Sequence, residues 1–241
     1  MVSIEVFNRR EQKYMLDDDT YSKITQYIDK YMDADSYSRD GGFYSICNIY
    51  YDTEDDYLIR KSVSKPVYKE KLRLRAYGVP NGDSRSFVEI KKKYKGIVNK
   101  RRTAMRLEDA YSYMKNDKKP DGDGINRQVL KEIDYMKSFY HLKPKVYISY
   151  DRRAYFDKMD DSFRITFDTN IRTRRKNLRL EDGMYGEPIL KPGMWLMEVK
   201  ISGAVPRWFT EILSELKIYP VSFSKYGEEY QKYIKGAKKN V

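Results

Sequence analysis

The segment Tyr68–Tyr77 reads YKEKLRLRAY and combines two different surfaces. Its basic residues fall at every second position and its apolar residues fall between them: Lys69, Lys71, Arg73 and Arg75 alternate with Leu72, Leu74 and Ala76. In a β-strand, residues two apart share a face and lie about 7 Å apart. Cations at that spacing repel one another unless an anion lies along them. The segment therefore predicts a strand that faces an anionic partner.

Carboxylates occur on similar alternating segments. Three Glu-x-Lys pairs each place a carboxylate and a lysine on one face of a predicted strand: Glu11 with Lys13, Glu89 with Lys91, and Glu198 with Lys200. A carboxylate among cations fits a divalent metal beside a phosphate, because Mg²⁺ commonly shares its oxygen ligands between protein and phosphate. For any one pair, a cross-strand salt bridge on a solvated face is the alternative, and the sequence leaves it open.

The composition points to an anionic partner and narrows the chemistry. The 241 residues include 48 Lys and Arg against 36 Asp and Glu, a formal net charge of +12, with one Cys and one His. This charge favours nucleic acid, phospholipid or a polyphosphorylated small molecule. A single Cys and a single His argue against disulfides, structural zinc and Ser-His-Asp or Cys-His catalysis. We expect Cys47 to be a buried small hydrophobe and His141 to be structural or exposed.

The elements that position these residues alternate between strands and amphipathic helices. Period-two patterns predict strands over residues 3–14, 43–51, 68–77, 84–94, 97–106, 145–156, 162–169, 195–201 and 221–223. Period-3.6 patterns predict helices over residues 18–33, 55–63, 107–114, 127–140, 206–216 and from 225 onward. Residues 116–124 and the basic run 172–176 are predicted to be exposed loops. We find no repeat or linker, so residues 1–241 are predicted to form one domain.

Most of the longer strands have one polar and one apolar face. Closing such strands into a barrel would collect the cations inside one lumen, where they repel unless an anion enters. The pattern therefore predicts a barrel with a basic, ligand-filled interior.

A set of short motifs resembles the VTC-type polyphosphate polymerases, which belong to the triphosphate tunnel metalloenzymes together with the CYTH proteins. The motifs occur in the family's order and span nearly the whole chain: EQKY at 11–14, YDT at 51–53, KLRLR at 71–75, EIK at 89–91, YDR at 150–152, FRITFDT at 163–169, EVK at 198–200 and FSKY at 223–226. The resemblance implies an α+β fold, in which an eight-stranded antiparallel β-barrel forms a triphosphate tunnel with helices packed outside. It also implies a metal-dependent reaction on a triphosphate.

Site residues follow from the same resemblance, position by position. The implied phosphate contacts are Lys13, Arg73, Arg75, Lys91, Lys100, Arg152, Arg164, Lys200 and Lys225. Glu198 is the implied ligand of Mn²⁺ or Mg²⁺, and the catalytic set comprises Lys13, Arg73, Arg75, Lys91, Lys200 and Glu198. Arg101 or Arg102 could take the place of Lys100. The first strand departs from the hydrolytic and cyclase pattern Glu-x-Glu-x-Lys, since Arg9 stands at its first position, and this favours the polymerase branch.

The implied reaction transfers the γ-phosphate of ATP to a growing inorganic polyphosphate chain. A triphosphatase or nucleotidyl cyclase of the CYTH type, and a non-catalytic module that binds polyphosphate or nucleic acid, are the alternatives. We expect ATP and polyphosphate as partners and no nucleic acid. The sequence has no run of about 18 apolar residues and no signal-peptide pattern, so we expect a cytoplasmic protein without a membrane span. Whether a membrane protein receives the product stays open.

The C-terminal segment is predicted to pack against one entrance of the tunnel. Tyr226 and Tyr230 make it too aromatic for a free tail, and the resemblance places Lys225 on phosphate.

Overall fold

The computed structural model describes residues 10–38, 42–122, 124–159 and 163–239, with the side chains of 237–239 left out. The described strands are β1 Arg10–Asp17, β2 Met32–Ala34, β3 Tyr44–Asp52, β4 Tyr68–Tyr77, β5 Arg85–Tyr94, β6 Ile97–Arg106, β7 Lys143–Asp157, β8 Arg164–Arg174, β9 Glu187–Pro188 and β10 Met194–Ile201. The described helices are α1 Asp18–Tyr31, α2 Tyr57–Val63, α3 Leu107–Asn116, α4 Arg127–Tyr140, α5 Arg207–Glu215 and α6 Lys225–Lys239.

The order of predicted strands and helices is confirmed, with differences at their ends. Residues 3–9 of the first predicted strand, including Arg9, lie outside the described residues, and β1 continues to Asp17. α1 ends at Tyr31 because the chain pairs with β7 from Met32 onward. The strand predicted over 221–223 is wrong: the Val221 amide donates to the Lys13 carbonyl over 2.7 Å, but no strand forms there.

Eight strands form one antiparallel sheet in the order β1-β10-β8-β7-β3-β4-β5-β6, with β2 added to β7 and β9 added to β8. The predicted α+β fold with an antiparallel sheet is therefore confirmed, and β2 and β9 bring the described strands of the sheet to ten instead of the predicted eight. Its closure is not confirmed: within the described ranges, no hydrogen-bonded pairing joins β1 to β6. The predicted closed barrel is thus corrected to an open sheet.

The sheet is nevertheless strongly curled. Lys91 on β5 donates from Nζ to the Glu11 carboxylate on β1 over 3.4 Å. Because β1 and β5 are six strand spacings apart in the sheet order, a flat sheet would separate them by about 29 Å. The strands therefore enclose a trough, and we call its inner surface the concave face.

Many apolar side chains of the strands point to the convex face, where four helices cover them. α3 and α4 contribute Leu107 and Ile133 to a buried cluster that includes Leu72, Leu74 and Val88. On the other half of the sheet, α1 and α5 pack through Ile24, Ile28, Phe209 and Ile212 on Phe167 and Val199. This packing leaves the alternate, charged positions on the concave face.

α2 and α6 pack against one end of the trough from the concave side. Tyr226 of α6 packs with Tyr50, Ile59 and Leu196. The buried carboxylate of Asp52 links both helices: it accepts from the Leu58 and Ile59 amides over 2.8 and 2.9 Å and from the Tyr226 hydroxyl over 3.0 Å. This anchor gives a structural reason for the Tyr-Asp-Thr motif at 51–53.

The basic run 172–176, predicted to be a solvated loop, instead begins inside β8. The Arg174 guanidinium donates to four backbone carbonyls in the segment 177–185. Arg175 forms an ion pair with Glu229 of α6 over 2.7 Å and with Asp56 over 3.2 Å. The run therefore holds a loop and a helix in place.

Cys47 and His141 occupy structural positions. Cys47 is fully buried in β3 and accepts a hydrogen bond from the Tyr147 hydroxyl over 3.2 Å. His141 ends α4 with a φ of 52°, a left-handed conformation common after a helix. Cys47 is therefore buried and His141 exposed, as the sequence predicts.

Candidate phosphate-binding site

The concave face collects the charged residues of seven strands. On one wall, β4, β5 and β6 place Arg73 opposite Glu89 and Arg102, and Lys71 opposite Lys91 and Lys100. On the other wall, the strand registers bring together Glu11 with Lys200 and Arg164, Lys13 with Glu198, and Arg152 with Asp168. The predicted site residues on strands therefore share one surface, and Lys225 joins them from the start of α6.

Glu89 is the centre of the first wall and is 1% exposed. Its Oε2 lies 2.7 Å from Arg73 and 3.8 Å from Arg75, while its Oε1 lies 2.7 Å from Lys100 and 3.9 Å from Arg102. Lys100 and Arg102 therefore both contact Glu89, whereas Arg101 points away and pairs with Glu132 of α4. The choice of Lys100 as a phosphate contact stays a prediction.

Two arginines of β4 are fixed by further hydrogen bonds. Arg75 donates to Asn48 Oδ1 over 2.8 Å and to the Tyr150 hydroxyl over 3.0 Å. Arg73 donates to the Tyr50 hydroxyl over 3.1 Å. Because these partners are buried on β3 and β7, both guanidinium groups are held in place without a ligand.

Glu198 is the centre of the second wall, and its partners come from distant parts of the chain. Its Oε1 lies 3.3 Å from Lys13 Nζ and 2.9 Å from Lys225 Nζ, and its Oε2 lies 3.5 Å from Arg152. Lys13 also donates to the Phe223 carbonyl over 3.0 Å. Glu198 therefore ties β1 and β7 to the beginning of α6.

A curved antiparallel sheet whose concave face is lined with cations suits an anionic ligand. The VTC domain family has a sequence model that matches residues 8–234, which is nearly the whole chain. This chain belongs to the VTC domain family.

Solved structures share the fold of this VTC domain at low sequence identity. One is a candidate adenylate cyclase from Bacillus halodurans, with 15% identity, coverage of 90% of this chain and 95% of that chain, and a TM-score of 0.50. Another, from Hippeastrum, is a candidate adenylyl cyclase with a dominant triphosphatase activity, with 14% identity, coverage of 90% and 93%, and a TM-score of 0.51. These similarities show a shared fold, and the match to the family model confirms the resemblance to VTC proteins. Curated proteins provide no match.

Asp168 is a residue of the VTC domain's second wall that sequence reasoning missed. It is fully buried, accepts two hydrogen bonds from Arg152 over 2.6 and 2.7 Å, and lies 2.5 Å from Lys225 Nζ. It shares the period-two face of Arg164 and Thr166, which was a signal for its place in the site.

Lys71 was also absent from the predicted site, although it belongs to the same row as Arg73. It donates to Ser224 Oγ over 3.2 Å, and among the described residues no carboxylate is paired with it. Burial, followed by the charges of Lys91 and Lys13, lowers the pKa of Lys71 to about 7. Burial, with Arg152 and Arg164 nearby, lowers the pKa of Lys200 to about 8. Burial and neighbouring cations therefore weaken proton binding by both lysines.

Glu198 and Glu11 have lowered pKa values, which favours their ionised form at neutral pH. Burial opposes ionisation of Glu198, but Lys13, Lys225 and Arg152 hold its pKa well below the usual range. Burial likewise opposes ionisation of Glu11, yet Lys91 leads the contributions that lower its pKa to about 2. All these carboxylates therefore act as acceptors and counter-charges.

The donor set fits a divalent metal only in part. In the part of the chain that the structure describes, no three His, Cys, Asp or Glu residues form a metal-binding group. Glu11 and Glu198 do approach each other, since both lie within 3.4 Å of Lys13 Nζ. Mg²⁺ is commonly held by one or two carboxylates, with phosphate oxygens and water completing its shell. The two carboxylates fit a metal that arrives with its phosphate.

None of the helices in the described residues combines the length and the apolar character needed to cross a membrane.

Proposed function

We propose that this VTC domain binds ATP and inorganic polyphosphate along the concave face and transfers the γ-phosphate of ATP to the polyphosphate chain. The observation that supports it is the pair of facing cation rows: Arg73, Arg75, Lys91 and Lys100 on one wall against Lys13, Arg152, Arg164, Lys200 and Lys225 on the other. A linear polyanion presents charges at short regular intervals and would contact both rows.

The protein's contribution to this reaction is alignment and charge neutralisation. Phosphoryl transfer needs the attacking and leaving oxygens in line and the charge on the transferred group compensated. Arg73 and Arg75 are already oriented by Glu89, Tyr50, Asn48 and Tyr150. They would therefore contact phosphate oxygens with little reorganisation, while Lys13, Arg152 and Lys225 would do so from the opposite wall.

Glu198 and Glu11 would be the protein ligands of a divalent ion, Mn²⁺ or Mg²⁺, which when bound supplies further charge neutralisation on the phosphates. Both carboxylates now contact Lys13, so a metal shared with substrate would take over contacts that this lysine makes. ATP as substrate agrees with the cytoplasmic location predicted from the sequence.

The state of the carboxylates favours phosphate over water as the nucleophile. Water would need a base to take its proton, but Glu89 and Glu198 are engaged with cations and have strongly lowered pKa values. A terminal phosphate is already ionised near neutral pH and needs no such base. This distinction favours the polymerase reaction over triphosphatase or cyclase chemistry.

The test is to incubate the purified protein with ATP and Mn²⁺ or Mg²⁺ and to separate the products on a gel. We expect ADP and long-chain polyphosphate from the wild type and neither from Glu198→Gln. Glu132→Gln is the matched control, because Glu132 also contacts two cations, Lys92 and Arg101, but lies on α4.

Release of free phosphate or cyclic nucleotide without polymer would instead assign the triphosphatase or cyclase reaction. Tight triphosphate binding without any turnover would assign a binding module.

A further inference from the structure

Four aromatic rings line one end of the concave face, and we call them the aromatic rim: Tyr37, Tyr44, Tyr77 and Phe87. Tyr44 lies 5.6 Å from Tyr37 and 6.2 Å from Tyr77 between ring centroids. Tyr77 lies 5.8 Å from Phe87, and it is parallel to Tyr37 within 10°. The rings form one continuous patch.

The rim continues the phosphate-binding walls. Tyr77 follows Arg75 by two residues on β4, and Phe87 precedes Glu89 by two residues on β5, so each lies about 7 Å further along the same face. Tyr44 of β3 is paired with Arg152 of β7. A ligand whose phosphates contact Arg75 and Arg152 would therefore place its next group against these rings.

The rim is accessible and carries positive charge. Tyr37 is 70% exposed and Tyr77 is 42% exposed, so both rings are accessible from solvent. The guanidinium groups of Arg102 and Arg85 lie 4.6 and 5.4 Å from the Phe87 ring. Proteins that bind nucleobases without sequence preference stack them on exposed aromatic rings and on arginine side chains.

The opposite end of the trough has a different character. There the concave positions of β4 and β5 are Lys69, Lys71, Lys91 and Lys93. Ser224, the residue just before α6, accepts a hydrogen bond from Lys71. We call this the lysine end. Its side chains suit a chain of phosphates and offer no exposed ring for a base.

We propose that the aromatic rim is the nucleoside subsite of the VTC domain, which holds the base of ATP while its triphosphate extends toward Arg75 and Arg152. This proposal rests on the proposed function. An oxygen of the terminal phosphate of the polymer forms a bond to the γ-phosphorus, the bond from that phosphorus to the β,γ-bridging oxygen breaks, and ADP leaves with that oxygen. Because the entering and leaving oxygens lie in line, ATP at the rim requires the polymer to approach from the lysine end.

The test compares a ligand with a base and one without. Calorimetry on the full chain would give the Kd of a non-hydrolysable ATP analogue and of inorganic tripolyphosphate for wild type, Tyr77→Ala and Phe87→Leu. We expect the Kd of the ATP analogue to rise about five-fold or more in each variant, while that of tripolyphosphate changes less than two-fold. Tyr94→Ala is the control, since Tyr94 lies at the other end of β5 on the convex face and is 53% exposed.

Equal changes for both ligands, or an unchanged Kd of the ATP analogue in both variants, would overturn the subsite. Failure of the wild type to bind either ligand would instead overturn the proposed function. Phe87→Leu keeps the proposal testable if Tyr77→Ala does not fold.

Discussion

Glu89 and Glu198 are the central carboxylates of opposite walls, but they are built differently. The partners of Glu89 come from β4 and β6, the two strands beside its own, and the carboxylate is sealed at 1% exposed. The partners of Glu198 come from β1, β7 and α6, and it is 9% exposed. Glu89 is therefore a fixed counter-charge that orients arginines, whereas Glu198 joins separate elements and can exchange one cation for another.

This comparison predicts that Glu89→Gln lowers the free energy of unfolding more than Glu198→Gln does. The substitution leaves Arg73, Arg75 and Lys100 without their shared counter-charge, and we expect a loss of about 3–5 kcal/mol in the free energy of unfolding. Urea denaturation would measure it. Inorganic tripolyphosphate should restore part of the loss, because it supplies negative charge to the same cations. An unchanged unfolding midpoint without ligand would mean that Glu89 does not balance these cations.

Glu198→Gln is expected to affect turnover more than folding. Asp168 remains to neutralise Lys225 and Arg152, so the unfolding midpoint should change less than in Glu89→Gln. The kcat for polyphosphate synthesis should fall about 100-fold or more, since a group that organises the transferred phosphate is lost. The same ratio of stability loss to kcat loss in both variants would contradict the distinction between Glu89 as a fixed counter-charge and Glu198 as a group of the reaction.

Lys225→Met tests the contribution of α6 to binding. The loss of one charge-assisted contact, typically about 1.5–3 kcal/mol, should weaken tripolyphosphate about ten-fold or more. Lys232→Met is the matched control, because this lysine of the same helix donates to the Pro188 and Ile189 carbonyls instead. Equal affinities of the two variants for tripolyphosphate would mean that α6 has only a structural role. A point substitution is used instead of a deletion, because Tyr226 of α6 is only 3% exposed. Removing α6 would expose the hydrophobic cluster that Tyr226 helps to form.

Lys71 predicts a smaller, pH-dependent effect. Its pKa is lowered from 10.5 to about 7 in the folded protein, so between these values the unfolded chain binds more protons. The Lys71 contribution to stability should therefore rise with pH from about 7 toward 10.5, and Lys71→Met should flatten this slope. Thermal unfolding across that range, compared with wild type, would measure it.

Binding should have the opposite dependence, because phosphate favours the protonated amine. We expect tripolyphosphate affinity to weaken as the pH rises above about 7, with proton uptake in calorimetry that Lys71→Met reduces. Proton uptake that is unchanged in Lys71→Met would assign the titration to another group, with Lys200 the first to test.

The strands of the first wall were predictable because their alternation is nearly perfect. β4, β5 and β6 lie within one or two residues of the predicted ranges, and their charged positions share the concave face. β8 was less predictable: the pattern ends near Asn170, which adopts a φ of 50°, yet the strand continues to Arg174. The continuation pairs residues 172–174 with β7 and β9, a pairing that local periodicity does not report.

The sequence by itself determined which face each charged residue occupies, because a strand alternates its side chains whatever its neighbours are. It also carried the motifs that place the chain in the VTC domain family. Only the tertiary structure decided the partners: Lys91 contacts Glu11 rather than its sequence neighbour Glu89, and Lys225 reaches Asp168 and Glu198 together. Strand order, the curl of the sheet and the packing of α6 set these pairs. They depend on contacts between residues far apart in the chain, which a period of two residues cannot specify.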